Sequence, residues 1–184
     1  MAILKGAAQT TRVRKIALLG GVLVAMAQAQ VSGEYDVKAA FLYNFAKFVE
    51  WPAQVYKTPS DPIAICVLGE NPFGRALEDA VMGKSVEGRK LVVREVHDGK
   101  HSGDCQILFI SASEKKHWRS ILEEVKTSGI LTVGETEEFT ASGGVISFKL
   151  EDGKVRFLIN TVAAEQAKLR ISSKLLSLAQ IVKK

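Results

Sequence analysis

Ile63–Leu68 reads IAICVL: six apolar residues in a row, held between Pro62 and Gly69. A half-buried strand alternates apolar and polar side chains, because successive residues face opposite sides of the sheet. An unbroken apolar run of this length reads as a strand covered on both faces. Such strands belong to parallel sheets with helices on either side. This stretch therefore predicts an α/β fold.

The chain downstream repeats the theme. Gly69-Glu70-Asn71-Pro72-Phe73-Gly74 is a tight loop, Arg75–Met82 a short helix stopped by Gly83, and Lys90–Val96 a second strand. Cys105–Ser111 is a third strand. Ser113 is placed to cap a helix over Glu114–Lys126, whose apolar stripe is Trp118, Ile121, Leu122 and Val125. Gly129 suits its end, and Ile130–Val133 is a fourth strand. Strand–helix–strand alternation implies parallel strands with helices on both faces.

Gly144–Asn160 is a hairpin. Asp152-Gly153 fits the type I′ turn of a two-residue loop. That turn pairs Glu151 with Lys154, Leu150 with Val155, Phe148 with Phe157, and Ile146 with Ile159. It places all six apolar members on one face, with Lys149 and Arg156 on the other. Thr161–Lys184 carries the stripe Ala164, Ala167, Ile171, Leu175, Leu178 and Ile181-Val182 and predicts a closing helix, bent or interrupted at Ser172-Ser173. The expected architecture is one α/β sandwich: a mixed, mostly parallel sheet flanked by helices, with a C-terminal β-hairpin and a closing helix.

Upstream, Ala53–Pro62 is a polar, proline-containing connector. Before it lies Tyr35–Pro52, YDVKAAFLYNFAKFVEWP. Its apolar residues recur at three- and four-residue steps, and only Lys38, Asn44, Lys47 and Glu50 are clearly polar between Val37 and Trp51. A helix this apolar must be covered on more than one side. It is either a central core helix or a core helix with one face left for a partner.

The net charge of +5 is unevenly placed. Lys5, Arg12, Arg14 and Lys15 precede an uncharged apolar run, Ile16–Met26, and then Ala27-Gln28-Ala29. Basic start, short apolar run and small-x-small site read as a secretory signal peptide over residues 1–29, cut after Ala29. The apolar run is too short for a transmembrane helix, which needs about 20 residues. The expected mature domain is 30–184. Losing those four basic residues lowers the net charge from +5 to +1. No basic patch then remains for DNA or RNA.

Export permits disulfides, and Cys66 and Cys105 make one pair. If their strands are parallel neighbours with level ends, the two cysteines are offset by three residues, roughly 10 Å. That exceeds the reach of a disulfide unless the strands are staggered. The reading is a bridge formed under strain, and therefore labile.

Catalytic signals are weak. Gly69, Asn71, Gly74 and Arg75 form a glycine-bounded loop between strand and helix, a place that can hold an anion or small polar ligand. The phosphate-binding loop would continue with Lys and Ser/Thr, and here Arg75-Ala76 follow. His97, His101, Asp104 and Cys105 crowd one glycine-containing loop, which reads as solvated rather than metal-binding. The acid pairs Glu78-Asp79, Glu123-Glu124 and Glu137-Glu138 are sequence neighbours, and adjacent residues do not face each other on a helix. No enzyme and no cofactor are expected, and function is expected to come from binding.

Val37–Pro52 resembles the signature helix of the YfiR family. So do Cys66–Gly69 with Asn71-Pro72-Phe73, Ile107–Ser111, Gly143–Ile146 with Phe148, Val155–Asn160, and Ile171–Leu176. The resemblance runs in order over the mature chain. It implies a periplasmic repressor that binds the sensor domain of an inner-membrane diguanylate cyclase and keeps cyclic-di-GMP synthesis off. It further implies an outer-membrane lipoprotein that sequesters the repressor, a homodimer, and a role for cysteine redox state. Regulatory relatives can carry a second cysteine pair near the hairpin. This chain has only Cys66 and Cys105, so a two-bridge scheme does not apply. The partner surface is expected around Phe148, Phe157 and Ile159 of the hairpin, or on the side of the first helix that holds Tyr43 and Trp51. The alternative function is a small-ligand module using the Gly69–Gly74 loop.

Overall fold

In the computed structural model, alternate residues of β2 (Ile63–Leu68) enter two different cores. Ile63, Ile65 and Val67 face one, and Ala64, Cys66 and Leu68 face the other. All six are buried, which explains the unbroken apolar run. The neighbouring β5 (Ile107–Ile110) divides the same way, with Ile107 and Phe109 opposite to Leu108 and Ile110.

The structure describes residues 33–97 and 103–183. The export signal expected over residues 1–29 and the His101 part of the proposed histidine cluster lie outside them. Six further strands complete the main sheet: β3 (Ser85–Val86), β4 (Arg89–Val96), β6 (Leu131–Gly134), β7 (Ile146–Glu151), β8 (Lys154–Asn160) and β10 (Gln180–Val182). Their order is β10-β8-β7-β6-β5-β2-β4-β3. Adjacent strands from β4 to β7 pair in parallel. β8 is antiparallel to β7, β10 parallel to β8, and β3 antiparallel to β4. The sheet is mixed and mostly parallel, with helices on both faces, as the sequence implied.

One face is covered by α1 (residues 33–48), α2 (Ala76–Val81) and α5 (Thr161–Gln166), through Leu42, Phe45, Leu77, Val81 and Ala164 among others. The other is covered by α3 (Trp118–Val125) and α4 (Glu137–Ala141), through Trp118, Ile121, Leu122, Val125 and Phe139. The first turn before α3 is a separate 3-10 helix, Ala112–Glu114. Its cap is Ser111 rather than Ser113.

The hairpin register is the one expected, from Ile146↔Ile159 through Glu151↔Lys154. Asp152 (φ 51°) and Gly153 (φ 70°) both lie in the left-handed region that a type I′ turn requires.

Two expectations are corrected. The first helix does not reach Trp51. It stops at residue 48, and β1 (Val49–Glu50) pairs antiparallel with β9 (Arg170–Ile171). The Phe48 carbonyl accepts the Ser172 N–H at 2.9 Å, so the last turn is tied to the C-terminal segment. Nor is Thr161–Lys184 one closing helix. It is α5, β9, α6 (Ser173–Leu176) and β10. The break is at Lys168, whose φ is 58°. Leu169 N–H reaches Ala164 C=O and Lys168 N–H reaches Glu165 C=O, both at 2.9 Å. This is a Schellman ending made without glycine. Asn160 and Ser172 then cap α5 and α6 by accepting from Ala163 N–H and Leu175 N–H.

Candidate functional site

In an open α/β sheet, ligands usually bind beyond the carboxyl ends of strands where the strand order reverses. Here that point lies between β2 and β5. It is filled. Ser113 Oγ accepts the Glu70 N–H at 2.9 Å. Gly69 (φ 87°) faces the same side chain so closely that a Cβ there would lie 2.3 Å from Ser113 Oγ. Asn71 Oδ1 accepts the Phe73 N–H, and Asn71 Nδ2 donates to Glu95 Oε1, both at 2.9 Å. Arg75 is exposed and 3.8 Å from Asp79. Gly69, Asn71, Gly74 and Arg75 thus belong to a turn whose N–H groups at 70 and 73 already have acceptors. Carboxylates at Glu95 and Glu114 stand beside it. This geometry does not favour an anion.

At the amino ends of the same strands lies a cleft of about 150 Å³, lined by Val55, Lys57, Asp61, Pro62, Arg94, Asp104 and Gln106. Two of its charges are paired with each other. Lys57 Nζ is 2.7 Å from Asp104, a hydrogen bond that raises the lysine pKa. Thr58 donates from its hydroxyl and its N–H to Asp61, which lowers the Asp61 pKa. Among the described residues, no three His, Cys, Asp or Glu side chains gather as metal ligands.

Cys66 and Cys105 are bridged, with Cα atoms 5.9 Å apart. The strand ends are level, as reasoned: Cys66 pairs with Leu108, which leaves Cys105 three positions short. A bend at Gln106, not a stagger, closes the gap. Gln106 N–H donates to Ala64 C=O at 3.0 Å, and its Oε1 accepts the Ala64 N–H at 2.8 Å. Pinned this way, the chain carries Cys105 into the α3-side core beside Cys66. Both cysteines are buried, at 0% and 3% exposure. Attack by an external thiol needs access, so burial opposes the lability expected from strain. Dithiothreitol should reduce the native protein slowly, with a rate that climbs as urea opens the fold. Reduction in native buffer as fast as that of an exposed model disulfide would contradict this.

The expected partner residues divide. Phe148, Phe157 and Ile159 are core, at 1%, 2% and 0% exposure. Phe41 and Phe45 of α1 lie over the two hairpin phenylalanines at 5.2–6.1 Å between ring centroids. They cannot be a docking surface in this conformation. Tyr43 and Trp51 are half-buried. Trp51 Nε1 donates to Gln106 C=O at 3.0 Å, which fixes the indole to the bend that sets the disulfide. Tyr43 carries Lys84 Nζ 4.2 Å above its ring and Lys47 Nζ at 5.5 Å.

What is exposed is the outer half of the hairpin. The β6–β7 pairing ends at Gly134↔Ser147, so Phe148–Glu151 run on past β6. β10 pairs only with Leu158–Asn160. On the α1 side of this projecting ribbon, Leu150 is 57% exposed and Val155 is half-buried. The pattern had placed both residues on the apolar face but could not show that α1 stops short of them. Sequence reading also missed a buried ion pair beside the ribbon. Lys38 Nζ is 2.6 Å from Glu135 Oε1, which Tyr35 OH also reaches at 3.0 Å.

The YfiR/HmsC-like family model matches residues 35–180. No curated protein matches the chain. Among solved structures, the ABC domain in complex with L-Trp from Streptococcus pneumonia is 10% identical, with a TM-score of 0.49, over 65% of this chain and 55% of that one. A conserved domain protein from Vibrio cholerae is 14% identical, also with a TM-score of 0.49, over 65% of this chain and 54% of that one. The match spans little more than half of those solved chains.

Proposed function

The chain belongs to the YfiR/HmsC-like family, and from that premise we propose that it is a periplasmic, non-catalytic regulator. It binds the periplasmic sensor domain of an inner-membrane diguanylate cyclase and holds cyclic-di-GMP synthesis down. The family match over nearly the whole described chain carries this reading. The basic, apolar and small-x-small pattern of residues 1–29 supports export. The projecting apolar ribbon at Leu150 and Val155 supports a role in protein contact. An outer-membrane lipoprotein that competes for the regulator, and a homodimeric free form, follow from the same reading.

The test is genetic and biochemical together. Deleting the gene should raise cellular cyclic-di-GMP. The tagged exported protein should recover a membrane cyclase from solubilised envelope. Unchanged cyclic-di-GMP together with no cyclase in the eluate would overturn the proposal.

A further inference from the structure

The outer edge of β8 is only half used. Asn160 N–H donates to Val145 C=O at 2.8 Å, so Asn160 points its backbone groups toward β7. Counted back in the antiparallel register, Leu158, Arg156 and Lys154 do the same. Ile159, Phe157 and Val155 point theirs the other way. β10 lies beside Leu158–Asn160 and occupies the outer side at Ile159. The Leu158↔Gln180 pairing turns the Phe157 C=O toward Gln180 N–H, so the Val155 N–H and C=O and the Phe157 N–H are left on an edge that no described strand pairs.

Such an edge is a template for another strand. Its two faces specify what that strand carries. Toward α1 stand Leu150 and Val155, an apolar pair. Toward the opposite face stand Lys154 and Arg156, both exposed. Lys149 already has Glu151 at 3.1 Å and Glu137 at 4.0 Å, while Lys154 and Arg156 have no carboxylate partner among the described residues. We propose that the open half-edge of β8, Lys154–Phe157, accepts in line with β10 an extended segment of a partner protein that alternates acidic and apolar side chains. The acidic positions meet Lys154 and Arg156, and the apolar positions extend the surface of Leu150 and Val155.

A second copy of this chain is the other candidate for the edge. An antiparallel pair made through Val155 and Phe157 would set Arg156 opposite its own counterpart. Shifting it to pair Val155 with Val155 would set Arg156 opposite Lys154. Like charges directly opposite destabilise a ladder, so the edge fits a different chain. This assignment adds a recognition mode to the regulatory reading above and rests on it for the partner's being a protein.

The probe is a capped hexapeptide, Glu-Val repeated three times, with a Lys-Val repeat as control. The readout is amide hydrogen exchange of the mature chain by NMR. The acidic peptide should slow exchange at Val155 and Phe157, and the basic one should not. Val155→Pro removes one outward donor and should abolish protection at Phe157. Arg156→Glu, at an exposed position, covers the case in which the proline variant misfolds. It should weaken the acidic peptide about fivefold and favour the basic one. Equal protection by both peptides, or none by either, would overturn the assignment. So would a wild-type dimer in sedimentation that Val155→Pro makes monomeric. Cyclase recovery keeps the two readings apart. Wild type and both variants recovering it equally would sink the edge and leave the regulator. Wild type recovering none, with peptide protection intact, would sink the regulator and leave the edge.

Discussion

Glu135→Gln is expected to lower stability by about 1–3 kcal/mol, because it takes away the carboxylate that Lys38 and Tyr35 share in a largely buried position. The side chains of Lys38 and Glu135 are 6% and 11% exposed, and they meet at 2.6 Å. The same carboxylate oxygen accepts from Tyr35 OH. Lys38 Nζ also lies 4.4 Å from the Tyr35 ring centroid and 5.9 Å from that of Phe148. The pair therefore ties α1 to the end of β6 at the point where the hairpin leaves the sheet. Removing both charges is a different experiment from removing one. Lys38→Met with Glu135→Leu should be close to neutral, since the desolvation cost disappears along with the attraction. Urea denaturation of the two variants decides it. A Glu135→Gln stability equal to that of wild type would show that this carboxylate does not hold α1 to the end of β6.

That ion pair marks the limit of what the sequence could give. Lys38 was visible as a polar position on an apolar helix, and Glu135 only as an acid two residues past the fourth strand. Nothing local connects residues 97 positions apart. The hairpin was legible because its determinants are local: Asp152-Gly153 sets the turn, and the period of two sets the faces. β2 was legible because burial on both faces removes every polar residue from the run. The C-terminal segment was misread for the converse reason. Ala164, Ala167, Ile171 and Leu175 keep helical spacing, and no glycine or proline signals the stop. Lys168 adopts φ 58° because the Schellman bonds and the β1–β9 pairing outweigh its own preference. The partner residues were half legible. Phe148 and Phe157 were rightly placed on the apolar face, but α1 covers them, and two residues further toward the tip it does not.

Gly144→Ala should cost about 3 kcal/mol, at the upper end of the overpacking range. The reason is steric. The Phe139 ring lies flat against two backbones, so a Cβ on Gly144 would sit 2.2 Å from its Cδ1 and Cε1, and one on Gly134 would sit 2.5 Å from its Cγ. Gly144 has no left-handed backbone to strain, so the clash is the whole effect. The Phe139 ring is 3% exposed, and Trp118 packs against it at 5.5 Å between centroids. The Gly144 N–H also donates to Phe139 C=O at 2.9 Å, which holds the two residues in this approach. Phe139→Ala alone should cost about 3–5 kcal/mol through the cavity it leaves in the α3-side core. Together the two changes should cost less than their sum, because the methyl added at Gly144 then enters space the ring has vacated. A coupling of about 2 kcal/mol in a double-mutant cycle is the expected value. Strict additivity would mean that the ring sidesteps the new methyl in the single variant, and that Gly144 is not there for its sake. Coupling of the expected sign would assign Gly144 to core packing around Phe139, on the α3 side of the sheet and apart from Leu150, Val155 and the β8 edge.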